Sequence, residues 1–411
     1  MKIFKIVPVS TMLLFLALSF TYAGAETAKK DWKWPKRLIA ASGGLTSPGY
    51  IVPISWTPIH QKDTGMKWRV LAEPASVTRF RLVKDRKIDF LYSNLQAGGD
   101  LLSGGEGLAT RQDGPFQLRL ALPGFKMFFG LEAFGRSGVK TLDDIRKRPG
   151  ITYGVPIGIV GIVRVADAYR AFLGMDEKEM VTVPYGSYRG MTSAYLQGKF
   201  DLIGEDPTGM TVQRFSGTNK KGGVIFFDLP EDDIEGNKRF RQEVPKMSLG
   251  VCDIGVPEAR GKRMLLFRWI AYANKELDSE IVYRLLKWHE ESYDRFKDKC
   301  PLCPFITIKA FRDTLNVTYI PVHEGAIRYM KEKGMWSAAD DIRHKYNIKV
   351  ADIHIKAYQS AIARADAKKV EVVADSEEWQ ALWENYKKEK GIPVVGIMSD
   401  KEIADSFPNL K

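Results

Sequence analysis

Residues 37–44 read RLIAASGG, residues 68–76 read WRVLAEPAS, and residues 88–94 read IDFLYSN. Each is a short apolar run that ends in small or hydroxyl-bearing residues. Between them lie longer amphipathic stretches, one from about Tyr50 to His60 and one opened by Glu73-Pro74-Ala75-Ser76 and running to about Lys84. Strand-length apolar runs that alternate with helix-length periodic segments predict a parallel α/β sheet. In such a sheet, ligands bind beyond the carboxyl ends of the strands, where helix N-termini present free backbone N–H groups and the positive end of the helix dipole. Ser42, Gly43, Gly44, Ser47, Ala75, Ser76, Ser93 and Asn94 occupy those loops. Residues of these types also cap helices and close turns. Three such loops at equivalent places favour a ligand site.

The scheme repeats further along. Leu118–Phe129 (LRLALPGFKMFF) is an apolar stretch suited to strands that cross towards a second lobe. Ile151–Val155 is a strand, and Ile157-Gly158-Ile159-Val160-Gly161 leads from it into a helix that ends at Gly174. Gly158, Val160 and Gly161 therefore join the candidate ligand-binding residues. Leu202-Ile203-Gly204 runs into the acidic pair Glu205-Asp206. Asp206 is read as a gate or a contact for a donor group, and the pair is the one plausible acid/base couple. Arg164 and Lys126 are possible carboxylate partners. Arg260–Ala273, Asp278–Asp294 and Thr307–Thr314 are expected to be mainly helical. His323 precedes a further helix and reads as a turn residue. Beyond 336 lies a charged, helix-rich tail with Trp379, Trp383 and Tyr386 at helical spacing.

The first 25 residues read as a cleaved signal peptide. Lys2 and Lys5 form the positive region, Thr11–Phe20 the apolar region, and Ala23-Gly24-Ala25 the small-residue cleavage pattern. The apolar run is shorter than the ~20 residues a membrane-spanning helix needs. The expected location is the periplasm, with residues 26–36 a loosely held arm. The chain has 411 residues, 45% hydrophobic and 27% charged, a composition that supports a full core in two or three domains. Its formal charge is +12, yet Lys and Arg alternate with Asp and Glu along most predicted helices. That pattern marks solvated helix faces and argues against nucleic acid as a partner. A diffuse positive field favours anionic ligands. There are three cysteines. Cys300-Pro301-Leu302-Cys303 has the spacing of a redox dithiol or of half a zinc site, and in an oxidising compartment a local disulfide is the expected form. No cofactor is expected, and no nucleophile motif of the Gly-x-Ser-x-Gly kind is present.

One family matches several phrases. Residues 321–334, PVHEGAIRYMKEKG, are similar to the C-terminal signature of the TAXI-type solute-binding proteins of tripartite ATP-independent periplasmic (TRAP) transporters. Leu277–Leu286 (LDSEIVYRLL) resembles the helix that precedes that signature. Leu142-Asp143-Asp144-Ile145 with Ile151-Thr152-Tyr153-Gly154 resembles a second family phrase, and Glu73–Leu82 with Lys87-Ile88-Asp89 a third. The resemblance spans about Arg37 to Gly334. Where the family carries a Gly-Ser-Gly loop, this chain has Ile157–Gly161 and lacks the hydroxyl.

The resemblance implies a two-lobed α/β periplasmic binding protein, type II-like, with the ligand cleft between the lobes and a C-terminal helical extension. The expected division is residues 26–130 and 245–335 for the first lobe, 131–244 for the second and 336–411 for the extension. The implied role is capture of a small organic anion and delivery to a TRAP-type membrane permease, by a monomer and without catalysis. The apolar Ile157, Ile159 and Val160 point to a less polar acid than is usual for the family. The rival readings are an exported enzyme on the same fold and a redox or metal-binding protein built on Cys300 and Cys303.

Overall fold

The computed structural model describes residues 32–406, apart from 46, 106, 158, 159 and 219. The expected signal peptide and Gly158 lie outside the described residues. Eleven strands are present among the described residues: β1 Arg37–Ser42, β2 Lys67–Ala72, β3 Phe90–Asn94, β4 Leu118–Leu122, β5 Lys126–Phe134, β6 Ile151–Pro156, β7 Met180–Tyr185, β8 Leu202–Glu205, β9 Val224–Phe226, β10 Ser248–Val251 and β11 Arg263–Asn274. Their order is β2-β1-β3-β11-β5-β8-β6-β7, with β4 and β10 also on β11, and β9 on β5. Pairing is parallel for β1 with β2 and β3, and for β6 with β7 and β8. The two parallel halves are the two lobes of the α/β fold that the sequence predicts.

β11 joins the lobes. Its second half, from Trp269, pairs antiparallel with β3 and β4 in the first lobe. Its first half pairs with β5 and β10 in the second. The helix expected over Arg260–Ala273 is therefore a strand. Residues 263–274, RMLLFRWIAYAN, are rich in aromatic and aliphatic side chains. Residues 264–265 and 270–273 are buried, on both faces of the strand, and the rest is half-buried, so the run has no clear polar alternation to distinguish it from a buried helix.

The junction is tight. Trp269 N–H donates to the Phe125 carbonyl at 2.8 Å, and the two rings stack at 5.3 Å. A Cβ on Gly124 would lie 1.9 Å from the Trp269 carbonyl oxygen, so only glycine fits where the crossover strands approach.

Helices begin on side-chain caps that the sequence supplies. Ser47, Asn94, Ser187 and Thr307 each accept a backbone N–H from the first turn of the helix they precede. The first-lobe core is one continuous cluster centred on Trp56, Phe80, Phe90 and Leu286. The second lobe has two clusters, one on each face of its sheet. The extension forms helices Ala338–Lys368, Glu377–Glu389 and Asp400–Ser406. Trp379 and Trp383 are buried and donate to the carbonyls of Ala109 and Ser103, which fastens the tail to the first lobe. The N-terminal arm is held more firmly than expected. Trp32 donates to Asp278, and Trp34 meets the His60 ring edge-on at 4.7 Å. No helix among the described residues is long and apolar enough to cross a membrane.

Candidate functional site

β1 ends on Ser42, which lies under the N-terminus of helix Pro48–Thr64. A Cβ on Gly49 would meet Ser42 Oγ at 2.4 Å and the Trp269 ring at 2.6 Å, so strand end, helix start and crossover strand touch at this point. Ser42 Oγ is buried without a hydrogen-bond partner. Ser47 caps the same helix by accepting from Tyr50 N–H at 3.3 Å. Gly43 is buried and Gly44 half-buried beside Pro74. After β3, Ser93 is buried and Asn94 caps helix Leu95–Ser103 by accepting from Ala97 N–H at 2.8 Å. The loop after β2 departs from this group. Ala75 and Ser76 are exposed, and Ser76 Oγ accepts from the Arg79 guanidinium. Val160 and Gly161 lie in the first turn of helix Val160–Leu173, after β6.

A cavity of about 800 Å³ opens between Pro48, Ile51 and Val52 of the first lobe and Asp206, Thr208 and Gln213 of the second. Met127, Ile254, Val256, Leu302 and Phe305 complete an apolar wall, with Asp253 and Arg260 as further polar groups. Of the sequence candidates, Asp206 lines this cavity, whereas Ser42, Gly43, Gly44, Ser47, Ala75, Ser76, Ser93 and Asn94 do not; Pro48, which does, opens the helix that follows the β1 loop. The apolar residues escape sequence reasoning because they come from four separated stretches of chain. The nearest signal is the apolar crossover run LRLALPGFKMFF, which contains Met127.

Asp206 Oδ1 accepts from Thr208 N–H and from its hydroxyl, both at 2.8 Å. Burial outweighs those bonds and raises the Asp206 carboxyl towards its neutral form. Glu205 points away from the cavity. It is 3% exposed, accepts from the Tyr188 hydroxyl at 2.5 Å, and is pushed up to about 7 by burial. The acidic pair is thus divided between wall and core. Lys126 is paired with Asp253, and Arg164 with Asp167 at 2.9 Å and Glu243 at 3.4 Å. Neither cation is held for a solute. His323 caps helix Glu324–Glu332, its Nδ1 accepting from Gly325 N–H, which is the structural role its position in the sequence suggests.

Cys300 and Cys303 form a disulfide, and Cys300, Pro301 and Leu302 border the cavity. Both sulfurs are committed to that bond. Cys252 is free and buried. Among the described residues, no group of three or more His, Cys, Asp or Glu side chains is arranged to hold a metal ion.

Two α/β lobes joined by crossover strands, with a cavity between them, define the periplasmic binding protein architecture. The chain belongs to the NMT1-like family, whose model matches residues 48–334. No curated protein sequence matches it. Several solved structures are similar in fold. MatC from Rhodopseudomonas palustris with bound malate is 13% identical, with a TM-score of 0.41 over 66% of this chain and 90% of that one. The periplasmic aliphatic sulphonate binding protein SsuA from Escherichia coli is 12% identical, with a TM-score of 0.36 over 68% and 79%. A binding protein component of an ABC phosphonate transporter from Pseudomonas aeruginosa is 10% identical, with a TM-score of 0.39 over 80% and 99%. Similarity this distant leaves the ligand chemistry to this chain's own residues.

Proposed function

We propose that this protein is a periplasmic solute-binding protein, exported by a signal peptide at residues 1–25, that holds a small organic acid with a large apolar body between its lobes. The carrying observation is the cavity of about 800 Å³, a size typical of small-molecule sites, whose wall is Pro48, Ile51, Val52, Met127, Ile254, Val256, Leu302 and Phe305. The apolar body packs on that wall. The carboxylate sits towards the β1 loop, where the N-terminus of helix Pro48–Thr64 supplies positive potential. Arg260 adds positive charge at the rim. Burial favours the protonated form of the Asp206 carboxyl, which can donate a hydrogen bond to such a carboxylate.

Closure is a hinge motion about Gly124–Lys126 and Arg268–Trp269, where the β4–β5 connection and β11 change lobes. On that division β10 and the first half of β11 move with the second lobe. Delivery to a TRAP-type permease, as for TAXI-type proteins, rests on the resemblance of residues 321–334 and 277–286 to that family.

The test is calorimetric titration of the mature chain with benzoate, phenylacetate and hexanoate against malate and glutamate, with mass spectrometry of any co-purified solute. Tight binding confined to the monocarboxylates with apolar bodies is expected. Tight binding of malate or glutamate alone would sink the reading. Turnover of a bound acid, seen as a change in its mass, would favour an enzyme.

A further inference from the structure

The crossover strands have a second cavity, about 290 Å³, lined by Gly124, Lys126, Arg268, Trp269, Thr307 and Lys309 among others. It lies at the closest approach of the two strands and is roofed by one face of helix Ile308–Leu315, from Lys309 and Ala310 to Asp313 and Thr314, with the N-cap Thr307 at its edge. Lys126 lines this cavity, whereas the next residue of β5, Met127, lines the solute cavity. The two linings share one residue, Phe305, so the cavities are distinct neighbours.

Arg268 is the unusual group here. Its guanidinium donates to Ser248 Oγ at 2.6 Å, and among the described residues it forms no ion pair with a carboxylate. Burial depresses its pKa, as expected for a desolvated cation without a direct counter-ion. The other charges at the cavity are already matched. Lys309 pairs with Asp313 at 3.1 Å, and Lys126 with Asp253. Asp313, which also lines the cavity, and Tyr319 act on Arg268 from neighbouring elements, and among the described residues neither forms an ion pair or hydrogen bond with it. The cavity lining thus carries three cations, Lys126, Arg268 and Lys309, against one carboxylate, Asp313, and Arg268 offers a planar donor fork with unspent N–H groups. Those are the ingredients of oxyanion recognition.

We propose that this hinge cavity is a second ligand site that takes a small oxyanion of the carboxylate or phosphate class on the Arg268 guanidinium. The bound anion bridges β11 to helix Ile308–Leu315. Because Trp269 and Phe125 line the same cavity, occupancy alters the surroundings of the stacked pair at the hinge and couples anion concentration to lobe closure. The anion site goes beyond the proposed solute function and stands without it; its coupling to lobe closure rests on that reading.

The test is titration of the mature chain with inorganic phosphate and, separately, malonate, followed by calorimetry and tryptophan fluorescence. Saturable binding of one of them is expected, and the tighter arm identifies the natural class. Arg268→Met should weaken binding at least ~10-fold, the cost of losing a charge-assisted fork, while Arg268→Lys restores part of it. Ala310→Trp, which fills the cavity and keeps Arg268, should abolish binding. Trp269→Phe should remove the fluorescence change and leave the heat. Asp206→Asn, in the solute cavity, should leave the anion affinity unchanged. The proposal is overturned by the absence of saturable binding below about 10 mM for both anions. It is equally overturned if folded Arg268→Met and Ala310→Trp proteins bind as the parent does, or if Asp206→Asn is the substitution that removes binding.

Discussion

The two lobes differ in the uncharged titratable groups that their cores hold. The first lobe encloses His60 and His289 in a cage of Trp34, Trp56, Trp68 and Trp288. Trp68 Nε1–H donates to His60 Nδ1 at 3.2 Å, so that nitrogen is an acceptor and the ring is the neutral tautomer protonated on Nε2. Burial lowers His60 to about 3 and His289 to about 4. The second lobe encloses two carboxylic acids instead. Glu132 on β5 and Glu205 on β8 lie diagonally on one face of the sheet, with Ile203 directly opposite Glu132 and Gly130 opposite Glu205. Burial pushes Glu205 up to about 7, and burial together with the Glu205 charge raises Glu132 well above the usual carboxylate range. Each lobe thus solves the burial of a titratable group by keeping it uncharged, and the two solutions respond to pH in opposite directions. The unfolded chain binds protons at histidine below about 6.5 while the caged rings do not, so the first lobe loses stability as pH falls. The unfolded chain releases protons from glutamate above about 4.5 while the buried acids keep theirs, so the second lobe loses stability as pH rises.

The severest way to break this contrast is to open the cage. Trp56 is 1% exposed and touches both histidines. Trp56→Ala should cost about 3–5 kcal/mol in denaturant unfolding, and hydrogen exchange should show the loss concentrated in the first lobe. A loss below about 1 kcal/mol would mean that the cage is not part of the core. The next test separates the two pH limbs. In the parent, Glu205 costs the second lobe stability on the order of 3 kcal/mol between pH 4.5 and 7, from its displacement to about 7. Glu205→Gln should remove that share of the limb, leaving the part due to Glu132, and leave the acid limb alone. His289→Leu should do the reverse, removing a loss of similar order as pH falls from 6.5 to 4. Parallel pH profiles for the two variants would refute the contrast.

Much of the architecture was legible because it is written locally. Short apolar runs that end at Ser42, Ala72 and Asn94, and caps such as Ser47 and Thr307, declare their elements within a few residues. The alternation in the second lobe was equally plain from Ile151 to Ile203. β11 was not legible, because a strand buried on both faces along much of its length has no clear period that separates it from a buried helix. The site was half legible for a related reason. The β1 loop and Asp206 stand at strand ends, where topology places ligands. The apolar wall of Met127, Ile254, Leu302 and Phe305 comes together only through the crossover, and no local pattern marks its members as neighbours. The histidine cage and the buried acids are likewise products of tertiary contact. Nothing near Glu205 in the sequence separates its core-facing carboxyl from the cavity-facing Asp206 beside it.

The mildest perturbation sharpens the comparison by acting on one lobe without a titrating group. The Cys300–Cys303 disulfide belongs to the first-lobe core and borders the solute cavity. It closes a loop with a sequence separation of only 3, so chain-entropy reasoning assigns it about 2 kcal/mol at most. The Cys300→Ser/Cys303→Ser double variant should lower the whole stability curve by up to that amount, equally at pH 5 and pH 8, since neither limb depends on it. A loss confined to low pH would instead show that the 300–303 turn supports the histidine cage. That coupling would run through Phe296, which stacks on Trp288 at 6.0 Å and meets His289 at 5.8 Å. The two outcomes decide whether the first lobe's acid sensitivity resides in the caged rings alone or in the whole segment that carries them to the cavity wall.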